Sequence, residues 1–103
     1  MVKANKLTEK AFMAQVVKLA TLCGWRVYHT HDSRRCVPGF PDLVLVHPGR
    51  GRVMWVELKV RKNALTPEQS AWLKDLSRCG EETWVWYPEN WQSIERLLTG
   101  RDS

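Results

Sequence analysis

Phe12, Val16, Leu19 and Cys23 recur at spacings of four, three and four, the one-sided period of an amphipathic helix. They predict a helix over residues 7–23, with Thr8 placed to cap it and Gly24 to stop it. Glu9 precedes Phe12 by three positions and Val16 by seven, so it leaves the first turn on the side of the apolar stripe. Gln15 falls on neither clear face. Residues 25–30 are rich in β-branched and aromatic side chains and predict the first strand. Residues 31–41, with Asp32, Ser33, Arg34, Arg35 and two prolines around Gly39, read as a loop.

Strands are predicted over 42–47 and 52–60, joined by the hairpin turn His47-Pro48-Gly49-Arg50-Gly51. Thr66-Pro67-Glu68-Gln69 opens a second helix with a capping Thr, a Pro at the first helical position and a Gln three residues after the cap. Trp72, Leu73 and Leu76 form its inward stripe, and Gly80 follows its last turn. A fourth strand is predicted over 83–87. A last helix runs from about 89 to 98, with Trp91, Ile94, Leu97 and Leu98 inward. The order αβββαβα predicts one α/β domain, residues 1–103, with helices packed on a four-stranded mixed sheet.

The hairpin places chemistry. With the turn centred between Gly49 and Arg50, facing residues have positions summing to about 99, which sets Asp42 opposite Glu57. Side chains alternate along a strand, so Lys59 shares the face of Glu57 while Leu58 points to the other. Opposed Cβ atoms in such a ladder stand roughly 5 Å apart, close enough for two carboxylates to hold one cation. Without a cation they repel. An all-oxygen set suits Mg²⁺ or Mn²⁺, and the adjacent lysine can orient an attacking water or stabilise charge building on a phosphate. A solvated Asp and a Glu–Lys pair without a metal is the plainer reading of the same residues.

Charge and composition narrow the partners. The chain carries 16 Lys and Arg against 11 Asp and Glu, a formal charge of +5, which favours a polyanion, nucleic acid first. Arg34 and Arg35 lead into Asp42, and Arg61 and Lys62 directly follow Lys59, so they are the candidate phosphate contacts. Arg50 and Arg52 fall at the far hairpin end. Cys23, Cys36 and Cys79 form neither a CxxC pair nor a disulfide framework, which predicts a reducing, cytoplasmic setting. No apolar run approaches membrane-spanning length, and no organic cofactor is expected. His29 and His31, with Cys36 nearby, lack a fourth ligand for zinc.

Gly39-Phe40-Pro41-Asp42 followed by Val56-Glu57-Leu58-Lys59 resembles the PD-(D/E)XK nuclease signature. More closely, the ordered set Glu9, Gln15, Gly24, Gly39, Asp42, Glu57, Lys59, Leu65-Thr66, Gln69, Trp72-Leu73 and Gly80 resembles the VRR-NUC branch of that superfamily. The resemblance implies a restriction-endonuclease-like αβββαβ core, here with an extra C-terminal helix. It implies that Asp42, Glu57 and the main-chain carbonyl of Leu58 bind Mg²⁺ or Mn²⁺, and that Lys59 serves the hydrolytic water. Glu9 would reach the metal, directly or through water, and Gln69 would complete the site. Small stand-alone members of the branch are typically phage or bacterial homodimers acting on branched DNA, similar to Holliday-junction resolvases. Larger relatives use the domain as a monomeric module for flap processing.

The expected function is therefore a metal-dependent, structure-selective DNA endonuclease acting as a homodimer on four-way junctions. Two alternatives stay open. One is a flap, single-strand or site-specific duplex nuclease of the same chemistry. The other is a catalytically silent DNA-binding module. Gln69 is also accounted for by a capping box, and Glu9 by the helix dipole. Trp84 and Trp86 share a strand face and are expected in the core or a dimer interface rather than stacked on bases.

Overall fold

The computed structural model describes residues 7–30 and 37–101. Helix α1 (Glu9–Leu22) leads into strand β1 (Arg26–His29); strands β2 (Leu43–His47) and β3 (Arg52–Leu58) follow. Helix α2 (Pro67–Arg78) crosses to β4 (Glu82–Trp86), and α3 (Trp91–Thr99) closes the described chain. The sheet order is β1-β2-β3-β4. Its first two pairings are antiparallel and β3–β4 is parallel. A parallel pair cannot be closed by a tight turn, which is why a whole helix, α2, separates β3 from β4. The fold is thus the expected mixed four-stranded sheet flanked by helices, with the extra helix at its C-terminal end.

The β2–β3 register pairs Leu43 with Val56, Val44 with Trp55 and His47 with Arg52, the register the hairpin predicted. Its turn is a short 3-10 helix, Pro48–Arg50, whose Arg50 N–H donates to His47 Nδ1 at 3.2 Å. Leu43, Leu45, Met54, Val56 and Leu58 turn inward on one face, where they meet Phe12, Val16 and Ala20 of α1 and Ile94 and Leu98 of α3. On the opposite face, Phe40 packs edge-on against Trp55 of β3 at 6.0 Å and Trp72 of α2 at 5.1 Å.

Several boundaries differ from the sequence reading. Ala20, not Leu19 or Cys23, completes the buried row of α1. Burial follows the i, i+4, i+8 ridge, which is inclined to the helix axis, and Leu19 and Cys23 pack against the core only partly buried. On α2, Leu73 is buried, while Trp72 and Leu76 are half-buried. Asp42 stands just before β2, and Lys59 and Val60 just after β3. The ladder stops there because Leu58 N–H is taken by the Asp42 side chain. Lys59 N–H still donates to Trp86 O at 2.9 Å. The last helix begins with a 3-10 turn, Pro88–Asn90, rather than directly at residue 89. Among the described residues no helix is long and apolar enough to cross a membrane. Cys23 and Cys79 carry free thiols. Cys36 lies outside the described residues, as does His31.

Candidate active site

The site is assembled by four segments. Thr8 Oγ1 accepts from Ala11 N–H at 3.0 Å and starts α1, which sets Glu9 in the first turn. The loop before β2 is held by Phe40 in its aromatic sandwich and by Gly39, whose φ of +88° favours glycine. A Cβ at Gly39 would stand 2.4 Å from the main-chain carbon of Glu68 and 2.7 Å from Gln69 N. The loop and the start of α2 are therefore in backbone contact. Beyond it, Asp42 O accepts from Thr30 N–H at 3.0 Å and Asp42 Oδ2 from Leu58 N–H at 2.9 Å. The first bond holds the Asp42 backbone to the segment after β1, and the second aims its side chain across to β3.

Glu57 is 1% exposed, and Lys59 is buried beside it with Nζ 3.9 Å from Glu57 Oε2. The same Oε2 accepts from Gln69 Nε2 at 2.9 Å. Gln69 has no freedom in this. Its own Oε1 accepts from Thr66 N–H at 2.9 Å, while its N–H donates to Thr66 Oγ1 at 3.1 Å. With the carbonyl end of the amide committed to the cap, the NH₂ end must face Glu57. The capping reading and the site reading of Gln69 are one arrangement.

Glu9, Asp42 and Glu57 each offer a carboxylate oxygen, all within 4.8 Å of one another. Among the described residues this is the group of His, Cys, Asp and Glu side chains close enough to hold a metal ion. Burial, followed by the Asp42 carboxylate, pushes the Glu57 carboxyl up to about 8, against the pull of Lys59. Burial also raises Glu9, with Asp42 adding to the shift. One lysine does not balance three acids at this range.

Among the described residues, Glu57 Oε1 is buried and has no hydrogen-bond partner. Such an orphan is costly in a folded protein, and a bound cation would satisfy it. An all-oxygen donor set with an orphaned carboxylate oxygen suits a hard divalent cation such as Mg²⁺ or Mn²⁺.

Asp42, Glu57, Lys59, Glu9 and Gln69 thus converge, and Leu58, between two of them, gives its N–H to Asp42. Arg61 and Lys62 are exposed where the chain leaves the site, Arg61 in the left-handed region at φ 57°. Arg34 and Arg35 lie outside the described residues. The Phe40–Trp55–Trp72 packing that holds Asp42 and α2 together was not readable in advance. The three rings lie far apart in sequence, and only folding brings them into contact.

Gly39→Ala tests this scaffold. The added methyl group meets backbone, which cannot rotate away, so α2 must shift and carry Gln69 from Glu57. We expect a stability loss of about 2 kcal/mol or more, read by denaturant melts. Wild-type stability would show that the contact constrains nothing.

The sequence pattern of the VRR-NUC domain matches residues 2–87 of this chain. A solved structure described as a VRR_NUC domain protein is similar in fold, with a TM-score of 0.61 and 20% identity, over 89% of this chain and 90% of its own. Among curated proteins none matches.

Proposed function

This chain belongs to the VRR-NUC family of nuclease-type domains, and from that premise we propose that it is a Mg²⁺- or Mn²⁺-dependent endonuclease of branched DNA, resolving four-way junctions as a homodimer. The observation that carries the metal-dependent chemistry is the orphaned Glu57 Oε1 among three convergent carboxylates. Asp42, Glu57 and the main-chain carbonyl of Leu58 are the proposed inner ligands, with Glu9 reaching the ion directly or through water. A bound divalent ion would neutralise these acids and stabilise the negative charge that builds on the phosphate.

The chain's own residues supply the rest. Lys59, held 3.9 Å from Glu57 Oε2, orients the attacking water and donates to a non-bridging phosphate oxygen. Gln69 holds Glu57 Oε2 with its amide at 2.9 Å, which would leave Oε1 as the oxygen available to a cation. Asp42 cannot swing away while it holds Leu58 N–H. Arg61 and Lys62 hold the phosphate backbone next to the scissile bond, with Arg34 and Arg35 as further contacts; contacts of this kind add affinity without reading sequence. Branched DNA and a dimer are taken from the resemblance to the VRR-NUC branch, whose small members typically act in that way. A homodimer supplies the two cuts that junction resolution needs.

The test is a substrate panel of four-way junction, flap, splayed arm, single strand and plain duplex, each incubated with Mg²⁺, Mn²⁺ or EDTA. We expect cleavage with either metal, none in EDTA, and fastest cleavage of the four-way junction. Absence of cutting on every substrate would leave a silent DNA-binding module. Preference for flap or single strand would keep the chemistry and replace the substrate. A monomer at micromolar concentration with junction DNA present would remove the paired incision.

A further inference from the structure

Strand β4 forms one edge of the sheet, and an open cleft of about 660 Å³ runs between it and α3. Arg52, Trp84, Trp86, Ser93, Arg96 and Arg101 line it. The size lies within the range of ligand clefts, roughly 300–1,000 Å³. Trp86 is buried, as expected of the core, but Trp84 stands 37% exposed.

That exposed indole is held in place. Trp84 Nε1 donates to Glu82 Oε2 at 2.8 Å. Glu82 is clamped in turn by the Arg52 fork, with Nε to Oε1 at 2.9 Å and Nη2 to Oε2 at 2.8 Å. A ring with its orientation already set loses little rotamer freedom when a ligand lands on it. Arg52 also offsets the Glu82 charge. Arg96 and Arg101 make no ion pair among the described residues, so the cleft keeps uncompensated positive charge.

An exposed aromatic face beside Arg96 and Arg101, neither ion-paired among the described residues, is the chemistry that holds single-stranded nucleic acid, with bases stacked on the ring and phosphates on the cations. A duplex hides its base faces in the stack and offers Trp84 nothing to cover. A second copy of this chain would bring the same unpaired arginines against these, and like charge opposes that pairing. Trp84 pairs with Val56 and Trp86 with Leu58, while Glu57 pairs with Val85, so alternation puts the cleft's indole on the sheet face opposite Glu57.

We infer that the β4–α3 cleft binds a single-stranded polynucleotide segment, with Trp84 stacked on an unpaired base and Arg96 and Arg101 on its phosphates. This site is separate from the proposed cleavage centre and requires no metal.

The test is binding of short labelled oligo(dT) and oligo(U) in EDTA, followed by anisotropy across a salt series, with thermal melts confirming that each variant is folded. Trp84→Ala should weaken binding roughly tenfold and Trp84→Phe much less. The double variant Arg96→Ala/Arg101→Ala should reduce the slope of log affinity against log salt by about 1.4, at ~0.7 per lost phosphate contact. Arg96→Lys/Arg101→Lys should keep the slope. Loss on oligo(dT) alone or on both oligomers supports the proposal and tells DNA from a general single strand. Alanine variants that bind like wild type would overturn it. So would equal competition by plain duplex through the same residues, or a wild-type dimer that these variants split. Because no cleavage is measured, failure here leaves the proposed nuclease standing, and an inactive nuclease leaves the cleft standing.

Discussion

Replacing Lys59 with methionine should lower the rate of phosphodiester hydrolysis by about 10²–10⁴-fold at saturating Mg²⁺. Methionine preserves most of the volume of the lysine stem, and Lys59 is buried, so the substitution removes the ammonium without opening a large cavity. The loss should fall on kcat more than on KM, because the ammonium acts on charge and water that matter most in the transition state. Asp42→Asn should fall as far for a different reason. Its amide oxygen can still accept from Leu58 N–H, as Asp42 Oδ2 does at 2.9 Å, so the fold persists while the charge that would attract a cation is gone. The comparison is made by single-turnover rates together with denaturant melts. A Lys59→Met protein that cuts at the wild-type rate would reject the role assigned to the lysine.

The second large effect is on stability, and it is read without any substrate. Glu57 has its folded value pushed up to about 8, above the ordinary 4.5, by burial and by Asp42. The folded state therefore keeps a proton between those values that the unfolded chain releases. The stabilisation this proton confers is complete below pH 4.5 and is lost as pH rises through about 8. Over that window the metal-free protein should weaken by up to about 1.4 kcal/mol per pH unit, on the order of 5 °C in Tm per unit for a domain this size. Glu9, raised by burial and by Asp42, adds in the same direction.

Saturating Mg²⁺ or Mn²⁺ should raise Tm most at the alkaline end, where the ion replaces the proton. Glu57→Gln keeps an acceptor for Gln69 Nε2 and removes the charge. It should flatten the pH slope, melt above wild type at pH 8 without metal, and lose the metal response. Differential scanning calorimetry from pH 5 to 8, with metal and with EDTA, decides this. An unchanged slope in Glu57→Gln would mean that Glu57 is not the group concerned.

Much of this site was legible before folding because it rests on local rules. The hairpin register came from counting outward from Gly49 and Arg50, since an antiparallel ladder ties each position to one partner. The structure pairs Leu43 with Val56 as that count requires. The capping box at Thr66 and Gln69 is a four-residue pattern, and the same four residues decide which end of the Gln69 amide enters the site. Helical period set Glu9 on the inward side of its helix and the family resemblance put it at the site, where it meets Asp42 and Glu57. Where burial depends on what covers a face, the pattern ran out. Trp84 and Trp86 have the same parity on one strand, yet one is 37% exposed and the other 3%.

The amino-acid sequence by itself therefore determined the order of elements, the hairpin register that one step further sets Asp42 opposite Glu57, and the inward side of α1 that carries Glu9. Those depend on periods of two and 3.6 residues and on turn chemistry, which act between near neighbours. Tertiary structure alone decided that Asp42 Oδ2 would end the ladder at Leu58, and that Gly39 would press on α2. It also decided that Glu57 Oε1 would be left without a partner and that Trp84 would stand clear of the core. Each of these follows from contacts between segments distant in the chain, and their distances are set only when both faces of the sheet have packed.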